Sequence, residues 1–324
     1  MAAALTEGVG RLVVVSNAAR WDVVDWARET TRDKLDVVQL PENRGSAGRY
    51  VGGLCRALDL GAGLIWMPGD DNMPEQGCLR KLLTAWVELA KEVGKDRLAL
   101  AGYRPACQTD LASGVPLTRI WRRPSSFWGF HLADLPYKVW RRSPWGRPNP
   151  AKQLPPLVEL DEAPFGGLLF DRTLLEAIGL PRAEMSLYAD DTEFTRRIRH
   201  YRGYLYCLTP AIVVDLGPKW MDKNAHSTSF EVWLLGGSDV LAYYGARNQS
   251  YVDAQYVERS KFVFWLNRIA YLAVLCAFAV LHWRLSRFAL LKRAIRDGLF
   301  GQLGRVLTLD EATLQNDSAD KSML

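Results

Sequence analysis

Leu64-Ile-Trp-Met-Pro-Gly-Asp-Asp-Asn-Met-Pro74 is a short apolar run that ends in two adjacent carboxylates. Four apolar residues closed by Pro and Gly read as a buried strand. Such a strand delivers the next residues of the chain to the C-terminal edge of a sheet, where open α/β sheets hold their ligands. Asp70 and Asp71 repel each other there unless positive charge lies between them. A hard divalent cation that also grips a diphosphate supplies that charge. A solvated turn carrying two acids is the better fit to the bare pair taken alone, so the rest of the chain must decide.

Upstream, Leu12 to Val15 is a β-branched run ending in Ser16-Asn17, which reads as a strand with a polar tip. Trp21 to Arg32 has mixed helical periodicity, and Leu35 to Leu40 reads as a second strand. The small-residue loop Pro41-Glu-Asn-Arg-Gly-Ser-Ala-Gly48 then opens a helix over Arg49 to Leu60. Backbone amides at such a helix start favour an anion. The glycine pattern is neither a P-loop, lacking the Gly-Lys-Ser/Thr end, nor GxGxxG. Downstream, Gln76 to Gly94 reads as an amphipathic helix and Arg97 to Tyr103 as a strand. Strands alternating with helices at this pace predict an α/β fold with a mostly parallel sheet covered on both faces.

From Pro105 to Pro156 periodicity gives way to Pro, Gly, Trp and Arg. A stretch this long without regular structure reads as a functional loop or a substrate-shaping insertion. Order returns at Ala163-Pro-Phe-Gly-Gly-Leu-Leu-Phe170, where two glycines let another group approach the backbone. Leu174 to Ile178 is a short helix closed by Gly179. Leu187-Tyr-Ala-Asp-Asp-Thr-Glu-Phe194 then leads into a basic helix over Thr195 to Tyr201. Asp190 and Asp191 at that helix start suit either an N-cap or a chemical role. Leu205 to Val214 reads as a strand interrupted by Pro210 and followed by Asp215.

The remainder is helical in character. Phe262 to Trp283 is strongly apolar but carries Asn267 and Arg268. Its uninterrupted part, Ile269 to Leu281, is shorter than the roughly 20 residues of a spanning helix, so an interfacial or buried helix is expected. The tail after Leu309 is acidic and polar, a composition that favours disorder.

Basic residues cluster in Arg119 to Lys152 and Arg259 to Arg305, flanked by several of the 12 tryptophans. That mixture suits an anionic membrane surface or a carbohydrate. No ordered recognition module accompanies it, so nucleic acid is not an expected partner. The five cysteines are far apart and lack CxxC spacing, which argues against a zinc site or a disulfide framework and for a reducing compartment. The first residues show no basic n-region and no apolar core of signal-peptide length. A cytoplasmic protein, peripherally held at the inner face of the plasma membrane, is the expectation.

The order of these pieces is more specific than any one of them. A Gly-containing loop, an Asp-Asp-x-x-Pro strand end, Phe-Gly-Gly, Asp-Asp-x-Glu-Phe at a helix start and a late Tyr243-Tyr-Gly-Ala-Arg-Asn248 occur in turn. Together they resemble the inverting glycosyltransferases of family 2, with the GT-A fold, over most of Arg11 to Arg305. The likeness is nearest to bacterial members that transfer galactofuranose or rhamnose onto cell-envelope glycans. The resemblance implies that Asn17, Asn43, Arg44, Gly45 and Asp70 contact the nucleotide donor. It implies a Mn²⁺ or Mg²⁺ ion at Asp71 and Asp70, with Asp215 where relatives often place a metal-binding His. Phe165, Gly166, Gly167, Arg247 and Asn248 would lie on the acceptor side. The general base would be in the Asp190-Asp191 pair, Asp191 preferred.

The departures are specific too. Gly69 stands where the family usually has the first acid of its metal motif, and Ser16 replaces an acid beside Asn17. Family members begin with a strand and helix ahead of the one at Leu12, for which about ten residues leave no room. The expected organisation is a GT-A domain over 1–218, with 105–156 as an acceptor- or membrane-side insertion. A helical, membrane-associated region over 219–308 and a disordered tail over 309–324 complete it. The implied function is metal-dependent, inverting transfer from a UDP-galactofuranose or dTDP-rhamnose type donor to a lipid-linked or cell-wall glycan. The alternative is a truncated, catalytically silent relative that binds glycan or a partner.

Overall fold

In the computed structural model, residues 2–19, 21–30, 34–146, 154–217 and 228–307 are described. The tail expected to be disordered, residues 309–324, and residues 147–153 of the insertion lie outside them. The chain divides into two compact units. The first takes the described residues of Met1–Trp121, Asn149–Ala183 and Asp190–Gly217. The second takes those of Arg122–Pro148, Glu184–Ala189 and Pro218–Leu324.

The first unit begins with helix α1 (Ala2–Thr6), strand β1 (Leu12–Asn17), helix α2 (Val23–Thr30) and strand β2 (Leu35–Leu40). β1 and β2 pair in parallel as a separate two-stranded sheet. Helix α3 (Gly45–Asp59) lies against it, and Gly53 allows the approach, since a Cβ there would sit 3.2 Å from Val15. Next come β3 (Leu64–Met67), β4 (Asn72–Pro74), α4 (Cys78–Val93), β5 (Leu98–Tyr103) and the single turn α5 (Thr109–Ala112). In the second unit α6 (Leu135–Arg142) comes next. The chain then returns to the first unit as β6 (Leu157–Glu159), β7 (Leu168–Asp171), α7 (Arg172–Ile178), α8 (Asp190–His200) and β8 (Tyr204–Asp215).

The larger sheet has the order β3-β7-β5-β8-β4, with β6 also on β8. Its alternation decides the core. Ala99, Ala101, Leu168, Phe170, Leu205 and Cys207 point into one apolar cluster, and Leu98, Leu100 and Leu169 into another. The first face is covered from α3, α7 and α8 by Leu54, Leu174, Leu175 and Phe194, and the second from α4 by Leu79 and Leu82. A strand buried on both faces reads as a continuous apolar run. Leu98 to Tyr103 is one.

The α/β class and the two covered faces stand, but the pairing is less parallel than the alternation of elements predicts. Of the pairings in this sheet only β5 with β8 is parallel; β3 with β7, β5 with β7, β4 with β8 and β6 with β8 are antiparallel. Two of the four come from β7, which inserts between β3 and β5 after the Phe165-Gly166-Gly167 turn, and the other two from β4 and β6 running against β8. Gly167 has φ +94°, donates its N–H to Met67 O and accepts from Gly102 N at 3.1 Å. Pro74 does not end the strand–acid segment either. Residues 72–74 form a return strand against the end of β8, with Asn72 opposite Asp215. Pro210 lies within a single strand β8, where the register against β5 jumps from Gly102–Leu208 to Tyr103–Ile212. A residue without an N–H is accommodated at such a bulge.

The second unit is helical: α6, α9 (Ser229–Leu235), α10 (Asp239–Val252), a turn at Asp253–Val257, α11 (Lys261–Leu281) and α12 (Leu285–Leu299). Phe127, Trp128, Phe130, Trp233 and Tyr271 form its aromatic centre. Fully buried Asp253 ties in the segment before α6, pairing with Arg122 at 3.1 Å and accepting the Trp128 N–H at 2.6 Å. α10 and α12 approach so closely at Gly298 that a Cβ there would overlap Arg247 O. α11 is continuous through Asn267 and Arg268, so at 21 residues it is long and apolar enough to cross a membrane, unlike the shorter run expected.

Glu7 closes the first unit's α4. Its two carboxylate oxygens accept the N–H groups of Gly77 at 2.6 Å and Leu79 at 2.7 Å, donors that the helix itself leaves unpaired. Glu7→Ala is expected to cost about 1 kcal/mol, read as a lower denaturant midpoint at an unchanged slope in equilibrium unfolding.

Candidate functional site

Within the first unit, the C-terminal ends of β3, β5 and β8 and the starts of β4 and β7 share one edge of the larger sheet, as the pairing directions require. Each element delivers polar groups there. β3 is followed by Asp70 and Asp71, β4 opens with Asn72, β5 is followed by Arg104, β7 is preceded by Gly166 and β8 ends in Asp215. This is the edge at which the sequence places a ligand.

Arg104 is the centre of this arrangement. Its side chain is 6% exposed and forms an ion pair with the equally buried Asp215 carboxylate. Asn72 Nδ2 donates to the same oxygen at 3.0 Å. Asp71 and Asp191 also act on the guanidinium electrostatically. A Cβ on Gly166 would overlap Asn72 Oδ1 and press on Arg104 Nη1, so the first glycine of Phe-Gly-Gly is what admits both groups. Arg104 Nε is buried with no hydrogen-bond partner among the described residues, and a buried donor of that kind costs about 1–3 kcal/mol until a ligand accepts from it.

The second acidic pair lies at the start of α8. Asp190 is 3% exposed and accepts from Ser46 Oγ of α3 at 2.8 Å. Burial, and then the neighbouring charge of Asp191, push its pKa up to about 7 against the opposing pull of Ser46 and Arg49. Asp191 is half-buried and accepts from Thr192 N at 2.7 Å. Burial raises its pKa, Glu162 raises it further, and the Thr192 N–H and Arg104 oppose the rise. The first pair differs: the Asp70 side chain is 74% exposed and pairs with Arg49 at 3.1 Å. One edge thus carries two carboxylate pairs in opposite environments, with guanidinium groups beside both.

Four of the residues expected on the nucleotide side, Asn17, Asn43, Arg44 and Gly45, form a braced loop. Asn17 at the tip of β1 donates to Asn43 Oδ1 at 2.9 Å and to Gly45 O at 3.3 Å, and accepts from Arg44 N at 2.9 Å. Asn43 accepts from Gly45 N at 2.9 Å, and Gly45 has φ +68°, which favours glycine. The amides of Asn17 and Asn43 therefore shape the loop, while the Arg44 side chain stays 54% exposed.

Phe165 is core, 4.3 Å from Tyr50 and 5.6 Å from Phe194 between ring centres. Arg247 and Asn248 belong to the second unit and are fully buried. Arg247 donates to Gly304 O, Glu184 O and Met185 O, and Asn248 Nδ2 to Met185 O, Leu187 O and Tyr188 O at 2.7–2.9 Å. They brace the Glu184–Ala189 segment, where Ser186, Tyr188 and Ala189 all have positive φ. These side-chain donors hold backbone of the second unit.

The expected metal ligands fit a cation only in part. Asp70 is engaged by Arg49 and Asp215 by Arg104 and Asn72, and among the described residues no group of three His, Cys, Asp or Glu could hold a metal. Asp71, exposed at the end of β3, fits as a single carboxylate ligand. Sequence reasoning missed Arg104, Ser46, Arg49 and Asn72. The signal for Arg104 was present: a charge directly after a fully apolar strand.

No protein-family model and no curated protein matches the chain. Among solved structures it is similar to GalNAc-T7 with UDP, GalNAc and Mn²⁺, at TM-score 0.46 and 8% identity over 75% of this chain. It spans 41% of the length of that structure. It is also similar to S. aureus TarS 1-349 in complex with UDP-GlcNAc, at TM-score 0.39 and 13% identity over 93% of this chain and 86% of that one. TarS 1-349 alone gives TM-score 0.36 and 13% identity over 95% and 89%. At such scores the likeness carries no argument about activity, which rests on the residues of the site.

The raised pKa of Asp190 makes it a stability liability. Between about pH 4 and 7 the folded state keeps a proton that the unfolded chain has released, so stability falls as pH rises through this window and the full penalty is present above it. Asp190→Asn is expected to raise Tm at pH 8 and to leave it nearly unchanged at pH 4 in paired thermal melts.

Proposed function

We propose that the first unit transfers a sugar from a nucleotide-sugar donor to a hydroxyl of a glycan acceptor, inverting the anomeric carbon. The observation that carries this reading is the division of one sheet edge into an exposed acidic pair beside Arg49 and a buried pair of raised pKa, with Arg104 adjoining both. Titratable groups whose environments push their pKa values apart mark the acid and base assignments of an active site.

The acceptor oxygen bonds to the anomeric carbon as the bond from that carbon to the diphosphate oxygen breaks. The nucleoside diphosphate leaves with the electron pair, and the acceptor proton passes to the buried pair. Asp191 is the base because it is the more accessible of the two, and its raised pKa brings its basicity toward neutrality. Burial and Glu162 maintain that basicity, and Asp190 is held beside Asp191 by Ser46. Arg49 and Arg104 oppose the charge that builds on the diphosphate, and the unpartnered Nε of Arg104 is a donor for it. A Mn²⁺ or Mg²⁺ ion at Asp71 would add positive charge at the same place. Arg44 contacts the nucleotide from the loop that Asn17 and Asn43 brace. The family resemblance supplies the finer reading: a UDP-galactofuranose or dTDP-rhamnose type donor and a lipid-linked or cell-wall glycan acceptor.

The test is a panel of UDP- and dTDP-sugars with Mn²⁺ or Mg²⁺, read as nucleoside diphosphate release. Turnover is expected with at least one donor, with an acidic limb of kcat/KM above the ordinary carboxylate range, because burial raises the Asp191 pKa. Asp191→Asn should lower kcat by about 10²–10⁴-fold while nucleoside diphosphate binding persists. Absence of any nucleotide-sugar or nucleoside diphosphate binding would falsify the reading. Binding without turnover would instead support the silent, glycan-binding relative.

Mn²⁺ titrated calorimetrically without nucleotide should bind weakly, since Asp71 would be the one carboxylate to hold it. With UDP present it should bind at least about tenfold more tightly, because phosphate oxygens complete its shell. Equal affinity in both titrations contradicts the single-ligand assignment.

A further inference from the structure

The second unit carries an apolar surface that the transfer chemistry does not use. α11 buries one stripe at helical spacing, Phe264, Asn267, Tyr271, Leu275 and Ala279. Its opposite stripe, with Phe262, Trp265, Ile269 and Val280, is exposed and equally apolar. Between Phe262 and Leu281 the single charged residue is Arg268. A helix packed on a water-soluble surface normally turns charge outward, and one that is apolar all round is covered on its second face.

We propose that this face docks on an anionic lipid bilayer, with α11 lying in the membrane plane. Three observations select that occupant. First, no carboxylate occurs from Arg259 to Arg296, a stretch that holds Arg259, Lys261 and Arg284 at the ends of the apolar stripe. A surface that lacks acid beside exposed apolar groups complements lipid phosphates. Second, aromatic rings mark both ends: Trp265 near the start and Trp283, 91% exposed, just past the end. Amphipathic rings favour the headgroup level. Third, the pattern is repeated nearby. α6 exposes Val139 and Trp140 beside Lys138 and Arg142, and its approach is fixed to α11 by Asn267, which accepts from Leu132 N at 3.0 Å and donates to Ser125 O at 2.8 Å.

The same bonds argue for an in-plane helix. A span would withdraw the inner stripe from the unit and leave the Asn267 amide without its partners in hydrocarbon. Lying flat, the roughly 30 Å helix inserts its outer stripe to a shallow depth and keeps the inner contacts. This surface is independent of whether the first unit transfers a sugar.

Flotation of the whole chain with vesicles tests the assignment. Binding to phosphatidylcholine vesicles that contain phosphatidylglycerol is expected, with at least about tenfold weaker binding to phosphatidylcholine alone. Alkaline carbonate should release the bound protein. The variant Phe262→Ser, Trp265→Ser, Ile269→Ser should lose at least about tenfold in vesicle affinity while its far-UV spectrum and thermal melt stay unchanged, because all three positions are exposed. Lys138→Glu with Arg142→Glu should weaken anionic-vesicle binding and preserve the fold. Absence of vesicle binding overturns the proposal. So does resistance to carbonate, which marks a span, or a solution dimer abolished by the triple serine variant, which assigns the face to a second copy.

Discussion

The arrangement at the sheet edge depends on one buried cation. Arg104 enters a region already crowded with carboxylates, and desolvating it there is tolerated because Asp215 and its neighbours compensate the charge. Several features result from accommodating this group. Gly166 has no Cβ because the guanidinium and Asn72 fill that space. The return strand β4 brings Asn72 opposite Asp215. Asp215, which stands where the resemblance implies a metal ligand, is already bound to a guanidinium. Positive charge at this edge is therefore built into the chain, with any divalent ion an addition to it.

Much of the first unit was legible in the sequence, because its signals are local. Apolar runs at Leu12, Leu35, Leu64 and Leu98 became strands, and the stretch from Cys78 to Val93 became the helix its periodicity implies. The first acidic pair came to the sheet edge because it directly follows β3, whereas the second opens helix α8 and its place depends on packing, with Ser46 of α3 donating to Asp190. The features that stayed hidden depend on long-range pairing. Nothing in Leu168 to Asp171 states that it will insert antiparallel between two earlier strands. Arg104 was visible as a charge after a buried strand, yet its meaning came only with Asp215, more than a hundred positions later.

The second unit shows the opposite balance. The apolar character of α11 was plain, but Asn267 and Arg268 suggested a break where the helix runs on, because Asn267 finds its bonds in the Ser125 and Leu132 backbone. Arg247 and Asn248 have the chemistry of ligand-binding residues and are used to brace a backbone with three positive-φ residues. Residue type announced a demanding local geometry. It did not say whether the demand came from a ligand or from the chain itself.

Strand β8 gives the first unit a particular assembly order. It bonds to β4, β5 and β6, and it ends in the carboxylate that holds Arg104. Ser46 meets Asp190, and Asn72 meets Asp215, across gaps of more than 140 residues. Until the ribosome has passed Asp215, β5 lacks its parallel neighbour and the edge lacks its counter-ion. Loops of that length close slowly and without intermediate reward. The site is consequently completed late, and a fragment ending ahead of β8 would hold a central strand paired on one side only and an arginine without its counter-ion.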